Sequence, residues 1–415
     1  VITLKGTGRT GWLARAAGIG AGVVIAAVLA SPAHALEEDE DVLTFFVGGS
    51  ASYDDNFLRL PNGVQPVQVG VGDRPRGTWI YTAYARALMS VPVSRQRFRL
   101  DLTAYSNRYA DYSYLDFNSW SGRADWLWEA GNRWKGVAFI ARNESLTSFA
   151  DFRDFNTGNI LTTYNALVDA DYWIHPNWRI VGAASYLQGR NSQQVLAFDD
   201  LDQYYVEAGF RYISTAQNWL RPTVRYTHGE YPERPVPTLL SDTSFDQYDL
   251  GVDLFWRFTG ASEINGRVAY TERKLPNLPS RDFSGPTGRL TYNWTPRGAV
   301  GVSFLALREI GAITDITATY IVTSTLGVTP YWLVTPKLRL EASYNWTNRD
   351  YAGQPTIAGI PQRDDEYNFA RLTAIWVPTR NWTVTAGYQY SDRTSNFPGL
   401  QFDDNTYSLT AQFAW

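Results

Sequence analysis

From Val42 to Trp415 apolar and polar side chains alternate with a period of two, in stretches of about ten residues. Successive side chains of an extended strand point to opposite faces, so each stretch has one greasy face and one wet face. In one stretch Leu338, Leu340, Ala342, Tyr344 and Trp346 oppose Lys337, Arg339, Glu341, Ser343, Asn345 and Thr347. In the last, Tyr407, Leu409, Ala411, Phe413 and Trp415 oppose Thr406, Ser408, Thr410 and Gln412. No stretch has a helical period.

The alternation places strands near 43–54, 78–91, 96–107, 119–130, 134–144, 160–173, 178–189, 202–213, 219–228, 245–258, 262–273, 286–295, 299–309, 319–333, 337–348, 366–377, 382–391 and 405–415. Their connectors alternate between two kinds. Eight are short, such as Gly131-Asn132, Gly260-Ala261 and Thr335-Pro336, and nine are long, such as Asp55 to Gly77, Thr227 to Ser244 and Arg349 to Asp365. Long strands joined alternately by short and long connectors predict an all-β fold: a transmembrane antiparallel up-and-down β-barrel of about eighteen strands. It would have short periplasmic turns, long extracellular loops and a place in the cell outer membrane.

The rival is a soluble propeller or sandwich, whose alternation would turn the apolar face inward. Three observations favour lipid. The strands are long enough to cross a bilayer when tilted. Aromatic residues collect beside the turns, as at Trp134, Trp178, Trp219, Trp294, Trp332 and Trp382, where amphipathic rings suit a membrane interface. The chain also ends on an aromatic of an alternating strand, Trp415, a usual feature of barrels inserted by the barrel assembly machinery.

Residues 1–35 read as a signal peptide: Lys5, Arg9 and Arg15 precede an apolar run, and Ala33-His34-Ala35 offers a small-x-small cleavage site at Ala33 and Ala35. Residues 36–42 would form a short periplasmic segment and 43–415 the barrel. Composition narrows the function classes. With no Cys, disulfides, thiol nucleophiles and thiolate metal sites are excluded. A net charge of −4, with basic residues scattered among acidic ones, argues against nucleic acid.

If the apolar face meets outer-membrane lipid, the other face lines a lumen. That face carries Arg99, Asp101, Arg123, Asp125, Asp169, Asp171, Glu207, Arg211, Arg221, Arg225, Asp249, Asp253, Arg257, Glu263, Arg267, Arg289, Arg339, Glu341 and Arg371. Opposite charges on neighbouring strands would pair and stiffen the wall, and those left over would tune which solutes pass. Tyr84, Tyr105, Tyr205 and Trp219 share this face, where rings among hydrogen-bonding groups suit sugar stacking.

No catalytic residues are expected. His175 falls in a periplasmic turn and His228 at a strand end, neither with an interpretable Ser or carboxylate partner. Asp54, Asp55 and Asn56 lack an EF-hand pattern and read as a solvated loop entry, so no metal or cofactor is expected.

Four segments carry a family resemblance: Ser52-Tyr53-Asp54-Asp55-Asn56-Phe57-Leu58-Arg59-Leu60, Ser94-Arg95-Gln96-Arg97-Phe98, Tyr114-Leu115-Asp116-Phe117 and Ser148-Phe149-Ala150-Asp151-Phe152-Arg153. They resemble the EpsL-type outer-membrane proteins of exopolysaccharide systems, within the broader β-barrel porin group. The resemblance implies a passive conduit in exopolysaccharide export, served by a periplasmic export component. It carries no functional residues over to this chain. The alternatives are a general or oligosaccharide diffusion porin and a structural barrel with a plugged lumen. The segment from Ser148 to Asp154 would lie in an extracellular loop, either folded into the pore or packed by Phe149 and Phe152.

Overall fold

The computed structural model describes residues 42–151, 153–234, 242–311, 320–352 and 362–415. The signal-peptide reading, with Ala33 and Ala35, lies outside the described residues, as does Phe152. The predicted strands are all present: β1 Leu43–Asp54, β2 Thr78–Val93, β3 Gln96–Tyr109, β4 Phe117–Ala130, β5 Trp134–Leu146, β6 Ile160–His175, β7 Trp178–Asn191, β8 Leu201–Ile213, β9 Trp219–Glu230, β10 Ser244–Thr259, β11 Ser262–Lys274, β12 Phe283–Arg297, β13 Val300–Gly311, β14 Tyr320–Thr335, β15 Leu338–Ala352, β16 Asp364–Trp376, β17 Trp382–Ser395 and β18 Phe402–Ala414.

Each strand pairs antiparallel with the next, and β18 returns to β1, which closes the 18-stranded sheet. At the seam Phe46 stands opposite Ala414 and Asp54 opposite Thr406, while Phe45 and Trp415 exchange backbone hydrogen bonds of 3.1 and 3.0 Å. A closed sheet satisfies its own backbone groups and leaves no edge, the condition for strands to cross hydrocarbon.

At the short-turn end the observed strand limits lie within two residues of the predicted ones, whereas at the loop end they run on by up to four, as in β15 and β17. There a strand has left the hydrocarbon, and the backbone ladder continues without the outward apolar residues that mark it in sequence. The turns use the left-handed backbone where they must: Gly131, at φ 58°, begins the turn between β4 and β5. Register shifts occur in β6, β10, β12 and β14 just before short turns, the usual place for a bulge that bends a strand end.

The outer wall is apolar. Ile140, Val224, Leu250, Leu326, Leu372 and Leu409 stand exposed at mid-height, with Leu250 67% accessible. So extensive an apolar belt marks a lipid-facing surface. Exposed Trp134, Trp178, Trp294, Trp332, Trp376 and Trp382 ring the short-turn end, and Trp79, Tyr81, Trp120, Tyr204, Tyr248 and Tyr344 the loop end. Trp219 departs from the interfacial reading: it shares the inward face of β9 with Arg221 and Arg225 and stacks on Phe255, with ring centroids 6.4 Å apart.

The packed apolar cores lie in the extracellular caps, because the barrel interior is wet. Loops 55–77, 110–116 and 147–159 contribute Phe57, Leu58, Leu60, Tyr112, Leu115, Phe149 and Phe155 to one core. A second gathers Leu201, Tyr231, Phe245, Leu275, Phe283 and Tyr320 over the other side.

The segment from Ser52 to Leu60 is a staple across the seam. Asp54 is fully buried and accepts hydrogen bonds from Arg59 Nη1 and Nη2 at 2.9 and 2.8 Å. Arg59 also lies 3.5 Å from Asp404 of β18. The Asn56 side chain donates to the Asp403 carbonyl at 2.8 Å, and Asp55 accepts from the backbone and side chain of Asn405 at 2.7 and 2.8 Å. This corrects the expectation of a solvated loop entry: the charges are buried because they fasten the first strand to the last.

Candidate functional site

The nineteen strand charges from Arg99 to Arg371 expected on the polar face share the inward parity of their strands, alternating with lipid-exposed neighbours such as Leu102, Val168, Val206, Phe210, Val224, Leu250, Val252, Val268, Leu340 and Leu372. They do not form one uniform wall.

On β6 to β11 they form a dry network. Arg221, fully buried, donates to Asp169 and to Glu207, both at 2.8 Å. Glu207 also accepts from Arg225 at 2.8 Å and from Arg267 at 2.9 Å, and Arg267 reaches Asp253 at 3.2 Å. Asp249 accepts from the Thr271 hydroxyl. Nearer the periplasm, Asp171 accepts from Arg179 at 3.1 Å and from Arg211. Guanidinium groups sharing carboxylates across several strands turn this half of the wall into a stiff, ion-paired rib.

The other half, β15 to β18 with β1 to β5, lines a cavity of about 520 Å³. Its charges are spent locally: Arg86 holds Asp101 through bonds of 2.8 and 2.7 Å, Arg123 holds Asp125 at 2.6 Å, and Arg339 holds Glu341 at 2.6 Å. Arg371 donates to Gln389 at 2.5 Å. Arg99 stands opposite Asp125 in the ladder, and Arg289, exposed to the lumen, stands beside Arg267. At the short-turn end Arg257 lies 3.4 Å from Glu263.

The four rings proposed for sugar stacking differ in what covers them. Tyr84 is buried: it lies over Gly48, where a Cβ would come within 2.4 Å of the ring, and its hydroxyl donates to Gln412 at 2.9 Å. The Arg225 guanidinium sits 4.3 Å over Tyr205, and Arg211 sits 5.2 Å over Trp219. Tyr105, 6.2 Å from Tyr84 between centroids, is half-buried and faces the cavity.

Over the cavity runs the loop 147–159. It is rooted between β5 and β6, where buried Asn159 donates to Thr147 and Asn191, both at 2.8 Å. It reaches β15 to β17 across the barrel. Asp151 accepts from Arg349 at 3.3 Å, from Arg393 at 3.4 Å and from the Tyr367 hydroxyl at 3.4 Å. Ala150 packs with Tyr367 and Phe402, and Arg153 donates to the Leu400 carbonyl at 3.4 Å. Burial, with Arg393 alongside, pushes the Arg153 guanidinium down to about 10, which leaves it charged at neutral pH. The segment from Ser148 to Asp154 is therefore a strap tied across the lumen. The sequence could not reveal this, because its anchors lie some two hundred residues away in the chain.

His228 sits on the outer wall at the loop-side rim, with Asp246 at 2.8 Å and Glu230 at 3.2 Å. Its carboxylate partners come from cross-strand register with β10 and from the next outward position of β9, a pairing not visible in linear spacing.

Residues 246–414 match a family model described as "Putative beta-barrel porin 2". Solved structures share the fold. OpdK of Pseudomonas aeruginosa with vanillate aligns at a TM-score of 0.50 and 8% identity, over 90% of this chain and 99% of that one. The improved structure of the same organism's OccK1 (OpdK) aligns at 0.50 and 9% identity, over 90% and 98%. No curated protein matches in sequence. The chain is an outer-membrane β-barrel with porin architecture.

Proposed function

We propose that this barrel is a passive diffusion porin for small polar solutes, with the route running along the cavity side of the lumen beneath the strap. The observation that carries the reading is the asymmetry of the interior. One half is filled by the rib around Arg221 and Glu207, and the other is an open cavity where Arg86 is paired with Asp101, Arg123 with Asp125 and Glu341 with Arg339, and Arg371 is held by Gln389. Solutes pass such a wall by trading water for hydroxyl and amide contacts, without an energy source.

Export of a polymer is supported less well. The strap is tied to the far wall at Asp151, which narrows the mouth to small solutes. None of the comparisons connects the chain to exopolysaccharide systems, and the porin-like architecture favours diffusion.

Reconstitution of the barrel into planar bilayers tests the reading. Discrete conductance steps are expected from the wild type, with larger steps from Asp151→Ala, which removes the acceptor that holds the strap. A membrane that stays silent with both proteins would overturn it.

A further inference from the structure

The cavity's lining points to a class of solute. Mid-strand, the inward positions of β17, β18 and β1 include several small hydroxylated residues, joined by Thr373 of β16, and the ladder sets them in two adjacent rows. Ser50 stands opposite Thr410, and Thr410 opposite Thr385. Two positions further along the strands, Ser52 stands opposite Ser408, Ser408 opposite Gly387, and Gly387 opposite Thr373. Neighbouring strands lie about 4.8 Å apart, so each row presents hydroxyls at a spacing comparable with that across a sugar ring.

These hydroxyls are available. Ser50, Ser52, Thr373, Thr385, Ser408 and Thr410 line the cavity, and none has a side-chain hydrogen bond to another described residue. None is among the buried polar atoms left without a partner, so they face the open space. Gly387 makes the floor concave: a Cβ there would press to 2.7 Å on the Ser408 hydroxyl. Tyr105 offers the one ring of the inner-face group that neither burial nor a guanidinium covers. Of the nearby ions, Arg86 is paired with Asp101 and Arg123 with Asp125, while Arg371 is held by the Gln389 amide.

We infer that this hollow is a binding subsite for a neutral, hydroxyl-rich solute of mono- to oligosaccharide size. The sugar's hydroxyl edge would lie on the Ser and Thr rows, and its apolar face on Tyr105. A charged solute gains less there, because Arg86, Asp101, Arg123 and Asp125 are already paired and Arg371 is engaged by Gln389. A pyranose both donates and accepts along its rim, and each hydroxyl of the wall does the same. The inference rests on the porin reading and names what the porin prefers.

The experiment is current blockade in planar bilayers, with the full barrel and maltotriose as probe, alongside gluconate and triglycine as charged solutes. Maltotriose should block saturably at concentrations on the order of 10 mM. Blockade should weaken about fivefold in Thr385→Val/Thr410→Val, which keeps shape and removes two hydroxyls, and in Tyr105→Leu. A conducting channel that maltotriose does not block, or that gluconate or triglycine blocks as strongly, overturns the sugar assignment and leaves the porin standing. Equal blockade of wild type and both variants also overturns it, because the sugar then binds elsewhere. Absence of conductance even in Asp151→Ala overturns the porin reading itself.

Discussion

Arg59 shows how much one buried side chain decides. It is 3% exposed and sits between Asp54 and Asp404; burial works against its charge, but the two carboxylates together outweigh that and leave its guanidinium more firmly protonated than usual. Removing one member of a buried ion pair costs about 3–5 kcal/mol, because the remaining charge stays buried without compensation. The two truncations are not equivalent. Asp54→Leu leaves Arg59 with Asp404, whereas Arg59→Met leaves two carboxylates buried together with no cation between them. Chemical unfolding in detergent should therefore show both variants destabilised, Arg59→Met the more severely. Asp54→Leu/Arg59→Met should lose less than the sum, since it removes most of the buried charge. Equal effects from the two single changes would mean that Asp404 plays no part in holding the seam.

At the scale of elements, Glu207 on β8 binds together strands that are not all neighbours, accepting from Arg221 and Arg225 of β9 and from Arg267 of β11. Glu207→Gln keeps the shape and removes the charge, leaving three guanidinium groups crowded around a neutral amide. A loss of about 3 kcal/mol or more is expected, the order found when a buried network loses one partner. Thermal unfolding read by the β-sheet circular dichroism signal checks it, and an unchanged midpoint would show the rib to be hydrated and idle. The strands themselves were legible in the sequence, because lipid on one side and water on the other write a period of two into residues such as Leu338 to Trp346. Their loop-side extensions were not, since Arg349 to Ala352 of β15 continue a ladder whose outward residues no longer meet hydrocarbon. The inward face was equally legible, but which charges meet depends on reach across several strands. Arg267 and Glu207 are an example: they pair across β9 and β10, and no local spacing announces it. The strap is the extreme case, an acidic residue in one loop answered by arginines of β15 and β17. Trp219 was ambiguous for a simpler reason: a tryptophan beside a turn suits an interface, and only the parity it shares with Arg221 turns it inward.

For the whole molecule, closure means that the sheet has no structural first or last strand. Phe45 and Trp415 are joined by a pair of backbone hydrogen bonds, so a short linker can bridge 415 to 42 without moving either. The turn at Gly260-Ala261 is exposed and joins β10 to β11 at the same end of the barrel, so it offers a place to open the chain there. Circular permutation succeeds at sites where few contacts depend on chain continuity. The permutant should regain the same circular dichroism spectrum and the same resistance to unfolding in detergent, with the strap and cavity intact. Deleting 402–415 should do the opposite. It removes β18 and exposes β1 and β17 as two bare edges, whose unpaired groups each cost several kcal/mol in hydrocarbon. A truncated chain that folds as stably as the permutant would show that the seam can reseal between β17 and β1, and that the staple from Asp54 to Arg59 is not what holds the ring shut.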